Sequence, residues 1–244
     1  MTGIISAMQE EIQALLHELQ HVSKTEKGMR TYYSGILFGK KVVLVFSRWG
    51  KVASAATATQ LINDFDVKEI IFTGVAGAIH QDLNIGDIVI GKNLYQHDLN
   101  AFPFYEKFEI PILKKMFLKT NDTAKLLEAT NVFLATYHQY IALEDSKLFD
   151  IQTPKAVHGD IASGDQFISS LKKIKKLNKK LPTAICVEME GAAVAQVCYE
   201  YEVPFSIIRV ISDMANDNAT IDFPKFANSI ASKYALGILK NYFS

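Results

Sequence analysis

Cysteine is nearly absent. The chain has two, Cys186 and Cys198, both inside apolar segments and without metal-ligand spacing, which excludes a disulfide scaffold and fits a reducing cytoplasm. Net charge is absent as well: 26 acidic residues balance 26 basic ones, so neither nucleic acid nor a membrane surface is an expected partner. A small molecule, or a second copy of the chain, is. No apolar stretch approaches the roughly 20 residues that span a bilayer, and the opening MTGIISAMQEE lacks the basic and apolar regions of an export signal. No cluster of metal-ligating residues stands at ligand spacing, so no metal or cofactor is expected. Repeats, low-complexity tracts and Gly/Ser linkers are also missing, and the 244 residues suit one domain spanning 1–244 with a large core.

What is present is an alternation of two kinds of segment. Short apolar runs rich in β-branched residues occur at 3–7, 41–47, 69–75, 87–91, 183–189 and 205–212; continuous hydrophobicity predicts strands covered on both faces. Between them, EEIQALLHELQ, KVASAATATQLINDF, GAAVAQVCYEY and FPKFANSIASKYALGILKNYF have helical spacing. The expected fold is a three-layer α/β/α sandwich. In the lysine-rich 170–182, Leu171, Ile174 and Leu177 recur at helical spacing, so it reads as a solvated amphipathic helix ended by Pro182. Residues 97–130 read as irregular and aromatic: a packed loop, a pocket lid or a subunit contact.

Ligands of open α/β sheets bind beyond the carboxyl ends of strands, and acids gather there. Glu10 or Glu11 follows the first strand, Glu190 the 183–189 run and Asp213 the 205–212 run. Each could merely favour a helix N-terminus or cap a turn; together they point to a cleft. Glu188 and Glu190 stand in the apolar stretch AICVEMEGAAV and need a cation or hydroxyl donors, such as a ribose diol, if buried. Arg209, one of three arginines, lies inside an apolar strand, so Glu188 is its expected partner and Glu190 is left for a ligand. The glycine turn TGVAGA (73–78) lacks dinucleotide-fingerprint spacing but allows close backbone approach. The turn ASGDQF (162–167) offers Phe167 for stacking on a planar ring. His97 and Asp98 look like half of a catalytic pair, with no serine or cysteine elbow to complete it.

GIISAMQEE, GKVASA, TGVAGA, GDIVI, QHD, ASGDQF, VEMEGAAVA, VPFSIIRVISDMA and FPKFA occur in this order, and the chain thereby resembles the bacterial 5′-methylthioadenosine/S-adenosylhomocysteine nucleosidases of the nucleoside phosphorylase fold. The resemblance covers nearly the whole chain and is weakest at about 103–155. It implies a mixed, twisted central sheet, a nucleoside substrate and a cytoplasmic homodimer. It further implies that Asp213 is the general acid toward adenine N7, steadied by Ser212, and that Glu11 positions and deprotonates the water. Glu190 would bind the ribose hydroxyls, with Glu188 beside it and Met8 and Met189 against the sugar. Phe167 would stack on adenine and backbone groups of Ile168 would read its edge. Gly77 and Val75 would border the site, Phe223 would wall the 5′ group, and Phe102 and Tyr105 would reach in from the partner subunit.

The chemistry requires a protonated Asp213 in a dry site and an ionised Glu11. The sequence departs from many members at Val75, where a serine is common, and at Trp49, where a small aliphatic is; both bear on substrate range. Rival readings are a phosphorolytic enzyme, with Arg48 as its candidate cation, an aminodeoxyfutalosine nucleosidase, and a non-catalytic nucleoside-binding module.

Overall fold

The computed structural model describes residues 1–121, 123–216 and 219–244. Along the chain come β1 (Thr2–Ser6), α1 (Gln9–Glu18), β2 (Gln20–Lys27), β3 (Arg30–Leu37), β4 (Lys40–Phe46), α2 (Lys51–Phe65), β5 (Glu69–Ala78), β6 (Ile88–Gln96) and the short β7 (Leu118–Lys119). There follow α3 (Ala124–Ala135), α4 (Leu143–Leu148), β8 (Ala156–Ser163), α5 (Leu171–Lys180), β9 (Ala184–Glu188), α6 (Gly191–Glu200) and β10 (Phe205–Asp213). The chain ends in α7 (Ala219–Phe226), which runs through a π-helical turn, Ala227–Ala231, into α8 (Ser232–Phe243).

The strands form one mixed sheet in the order β10-β6-β8-β9-β5-β1-β4-β3-β2, with β7 on β6. β1 is parallel to β4 and β5, whereas β10 is parallel to β5 and antiparallel to β6. Because β10 pairs with both, β5, β9, β8, β6 and β10 close into a ring, and only β1 to β4 extend as an open sheet. The mixed sheet agrees with expectation; its closure does not show in the sequence, because β-twist accumulates over many strands.

The strands expected from apolar runs are all present, and β1 is buried along its whole length. One face carries α2 against α6 over a core containing Leu61, Phe72 and Val194; the other carries α1 and α3 against α8 over Leu15, Ile71 and Tyr234. α5 ends before Pro182, as its sequence predicts, and buries Ile174 and Leu177; Leu171, at its first position, stays exposed.

The chain also contains strands that its hydrophobicity hides. β2 is exposed along most of its length and pairs with β3 through a two-residue turn, Lys27 facing Arg30. Gly28 and Met29 both have positive φ, 54° and 60°, the geometry of the tight hairpin turns that match strand twist. Cys186 and Cys198 are free and buried. Among the described residues no helix is long and apolar enough to cross a membrane and no side-chain group is arranged to hold a metal.

Candidate active site

The sequence leaves a choice between Glu10 and Glu11, and burial makes it: Glu10 is exposed, Glu11 buried. Glu11 stands in the first turn of α1 and reaches back over the end of β1. Its Oε2 accepts from the Ala7 and Met8 N–H groups at 2.8 and 3.0 Å, and its Oε1 from the Val75 N–H at 3.1 Å. Gly74 makes this approach possible, since a Cβ there would lie 2.9 Å from Glu11 Oε1 and 3.3 Å from the guanidinium of Arg209. Burial lifts the Glu11 carboxyl to about 7, against the opposing Arg209 charge and three N–H donors. An ionised Glu11 is expected from sequence, whereas burial leaves it partly protonated near neutral pH. A base poised near neutrality results.

Asp213 ends β10, 2% exposed. Ser212 Oγ donates to its Oδ2 and the Ala215 N–H to its Oδ1, each at 2.8 Å. Burial raises its pKa above the usual carboxylate range, and those two hydrogen bonds only partly oppose it. Gly77 supplies the room: a Cβ there would meet Asp213 Oδ1 at 2.9 Å.

The two glutamates of VEME have separate partners. Arg209, 1% exposed, donates to Glu188 Oε2 through Nη2 at 2.6 Å and Nε at 3.2 Å, the pairing expected from sequence. Glu188 also accepts from Ser163 Oγ and from the N–H groups of Glu190 and Gly191, so it caps α6. Glu190 Oε1 accepts from the Gly50 N–H at 2.8 Å, and no donor among the described residues reaches its other oxygen. Burial, reinforced by the Glu188 charge, pushes Glu190 up to about 8.

The carboxyls of Glu11, Glu188, Glu190 and Asp213 border one cleft of about 560 Å³, its open mouth included. Glu11, Asp213 and every residue expected around the nucleoside line it: Met8, Trp49, Val75, Gly77, Phe167, Ile168, Glu188, Met189, Glu190, Ser212 and Phe223. Ala7, Ala76, Gln166 and Val187 line it too and were missed, although each adjoins a residue that the motifs single out. Phe223 lies edge-on to Trp49 at 5.9 Å and tilted to Phe167 at 5.8 Å, so three aromatics stand together at the cleft. Phe102 and Tyr105 do not border it, and Phe102 is 71% exposed. Among the described residues the wall carries no Lys, Arg or His. Arg48 lies outside it and donates to the Met29 carbonyl.

The fold is that of the phosphorylase superfamily, whose family model matches residues 2–244. A 5′-methylthioadenosine/S-adenosylhomocysteine nucleosidase of Staphylococcus aureus (strain bovine RF122 / ET3-1) is 38% identical over 232 residues, 95% of this chain and 94% of the relative. The nucleosidase of the same description from Colwellia psychrerythraea, solved with adenine, superposes with a TM-score of 0.85 at 32% identity, covering 98% of this chain and 94% of that one. A futalosine hydrolase of Helicobacter pylori gives 0.84 at 31%, covering 99% and 96%. The chain belongs to the 5′-methylthioadenosine/S-adenosylhomocysteine nucleosidase family.

Proposed function

We propose that the chain hydrolyses the N-glycosidic bond of 5′-substituted adenosines, 5′-methylthioadenosine and S-adenosylhomocysteine, releasing adenine and the 5′-substituted ribose. The observation that carries this reading is the pair of buried, raised carboxylates, Glu11 and Asp213, on one cleft with an acceptor oxygen of Glu190 left over. Asp213 gives its proton to N7 of adenine as the bond breaks. Glu11 takes one from the attacking water, while Glu190 accepts from the ribose hydroxyls of a sugar that becomes oxocarbenium-like. Phosphorolysis would need cations beside the incoming anion, and the described wall has none. The similarity to the Helicobacter pylori futalosine hydrolase favours a second reading, with a larger 5′ group in the same cleft.

The same proposal makes the working unit a cytoplasmic homodimer in methionine salvage, with Phe102 and Tyr105 closing the neighbour's cleft. Exposed Phe102, Phe104 and Ile112 support such a contact surface. The test is adenine release from methylthioadenosine, adenosylhomocysteine and aminodeoxyfutalosine, with and without phosphate. Release that phosphate does not change is expected on the first two; strict phosphate dependence would sink the hydrolytic reading.

A pH dependence follows. A base raised to about 7 loses its negative charge below that value, so kcat/KM for methylthioadenosine falls as pH drops through about 7, toward one decade per pH unit. Glu190 is raised as well, to about 8, chiefly by burial and the Glu188 charge, so both carboxyls lose charge along this limb. A profile flat from about pH 8 to 6 would remove Glu11 from the role of base.

A further inference from the structure

Lys51, Asp98 and Asp165, from the motifs GKV, QHD and SGD, have no part in the chemistry above, yet they meet in space. Lys51, at the start of α2, donates through Nζ to Asp98 Oδ1 at 2.6 Å and to Gln96 Oε1 at 3.2 Å. The other oxygen of Asp98 accepts from the Asp165 N–H at 2.9 Å. Asp165 returns the link, its Oδ1 accepting from the Lys51 backbone N–H at 2.7 Å. Three loops that leave β4, β6 and β8 are thereby tied in a closed circuit. Gln96 extends the circuit, donating to Gln196 of α6 at 2.6 Å, and the N-cap position of α6 is Glu190.

Two of the tied loops carry parts of the cleft wall. Residues 47–51 bring Trp49 to its wall and the Gly50 N–H to Glu190, whereas residues 164–168 bring Phe167 and Ile168. Lys51, Asp98 and Asp165 do not border the cleft themselves. The fit between the loops is close: Gly50 has φ +94°, and a Cβ there would lie 2.9 Å from Asp165 Oδ1. An exposed ion pair contributes little, but the side chains of Lys51 and Asp98 are only 17% and 16% exposed and share further partners. Burial alone would raise Asp98, yet its hydrogen bonds to Lys51 and Asp165 hold it below the usual carboxylate range.

We propose that Lys51, Asp98 and Asp165 are positioning residues, a clasp that fixes the sugar-side turn against the base-side turn so that both halves of a nucleoside bind in one geometry. This rests on the nucleosidase reading above. Fixed geometry matters because a misplacement of about 1 Å between reacting groups costs about 10²-fold in rate. The aspartate beside His97 is thus a loop tie, with no nucleophile for the pair to serve.

The chain has a single tryptophan, Trp49, within the clasped turn, so its time-resolved emission anisotropy reads the turn without any substrate. In Lys51→Met and Asp98→Ala the nanosecond depolarisation of Trp49 increases at an unchanged unfolding temperature. Adenine alone binds as in the wild type, while kcat/KM for methylthioadenosine falls about 10²-fold. Lys51→Arg recovers most of that loss, and the double variant is no worse than either single one. Adenine affinity and kcat/KM falling together with the unfolding temperature would reduce the clasp to ordinary structure, and unchanged Trp49 anisotropy would overturn it. If the wild type releases no adenine, the nucleosidase reading falls and the anisotropy alone decides: greater Trp49 mobility in Lys51→Met sustains the clasp, equal mobility overturns it.

Discussion

Asp213→Asn lowers adenine release from methylthioadenosine by about 10²–10⁴-fold, the range of a lost general acid, in a protein that stays folded. The asparagine is nearly isosteric, and its one carbonyl oxygen can still accept from Ser212 Oγ or from the Ala215 N–H, the two donors that hold the aspartate. What it lacks is a dissociable proton. The aspartate can keep that proton in a dry site because burial raises its pKa, and the leaving adenine needs the proton as the glycosidic bond stretches. Single-turnover release of adenine measures the loss, and thermal unfolding checks the fold. Turnover within about tenfold of the wild type would place the acid elsewhere. A wild type that binds nucleosides yet releases no adenine would make the chain a binding module.

Legibility in the sequence followed burial. The strands β1, β4, β5, β6, β9 and β10 are marked by apolar runs because both their faces are covered, and α2 spans the Lys51–Phe65 segment that its spacing predicts. β2 escapes because QHVSKTEK faces solvent and buries almost nothing, and β3 because only Tyr32 and Leu37 are fully buried among half-buried residues that form no apolar run. β8 escapes because His158, Gly159 and Asp160 interrupt its run, and Gly159 is small for a packing reason: a Cβ there would collide with Ile185. The ring closure depends on β10 meeting both β5 and β6, a relation between segments far apart in the chain.

The site was more legible than the loops, since acids at strand ends and an arginine inside an apolar strand are local signals. The Gly50 contact of Glu190 was not, because it joins residues 140 positions apart. Nor was the raised pKa of Glu11, which arises from walls that several strands build together.

Arg209→Met destabilises the protein by about 3–5 kcal/mol, the usual cost of leaving one member of a buried ion pair without its partner. At about 2–4 °C per kcal/mol for a chain of this size, the midpoint of thermal unfolding falls by about 6–20 °C. Glu188 would keep the Ser163, Glu190 and Gly191 donors but lose the cation that lies 2.6 Å away at 1% exposure. The guanidinium also sits 4.1 Å from the centroid of the Phe72 ring, a contact that methionine replaces only in part. Adding Glu188→Gln removes the stranded charge, so the double variant is less destabilised than the sum of the two singles, with a coupling of about 0.5–3 kcal/mol. Strict additivity, or a loss below about 1 kcal/mol for Arg209→Met, would show that the pair is not what holds the sheet here. The same cation opposes the burial of Glu11 and of Glu190. Its removal therefore favours their protonated forms and moves the acid limb of kcat/KM to higher pH in whatever fraction of the variant remains folded, joining the stability of β10 to the chemistry at its end.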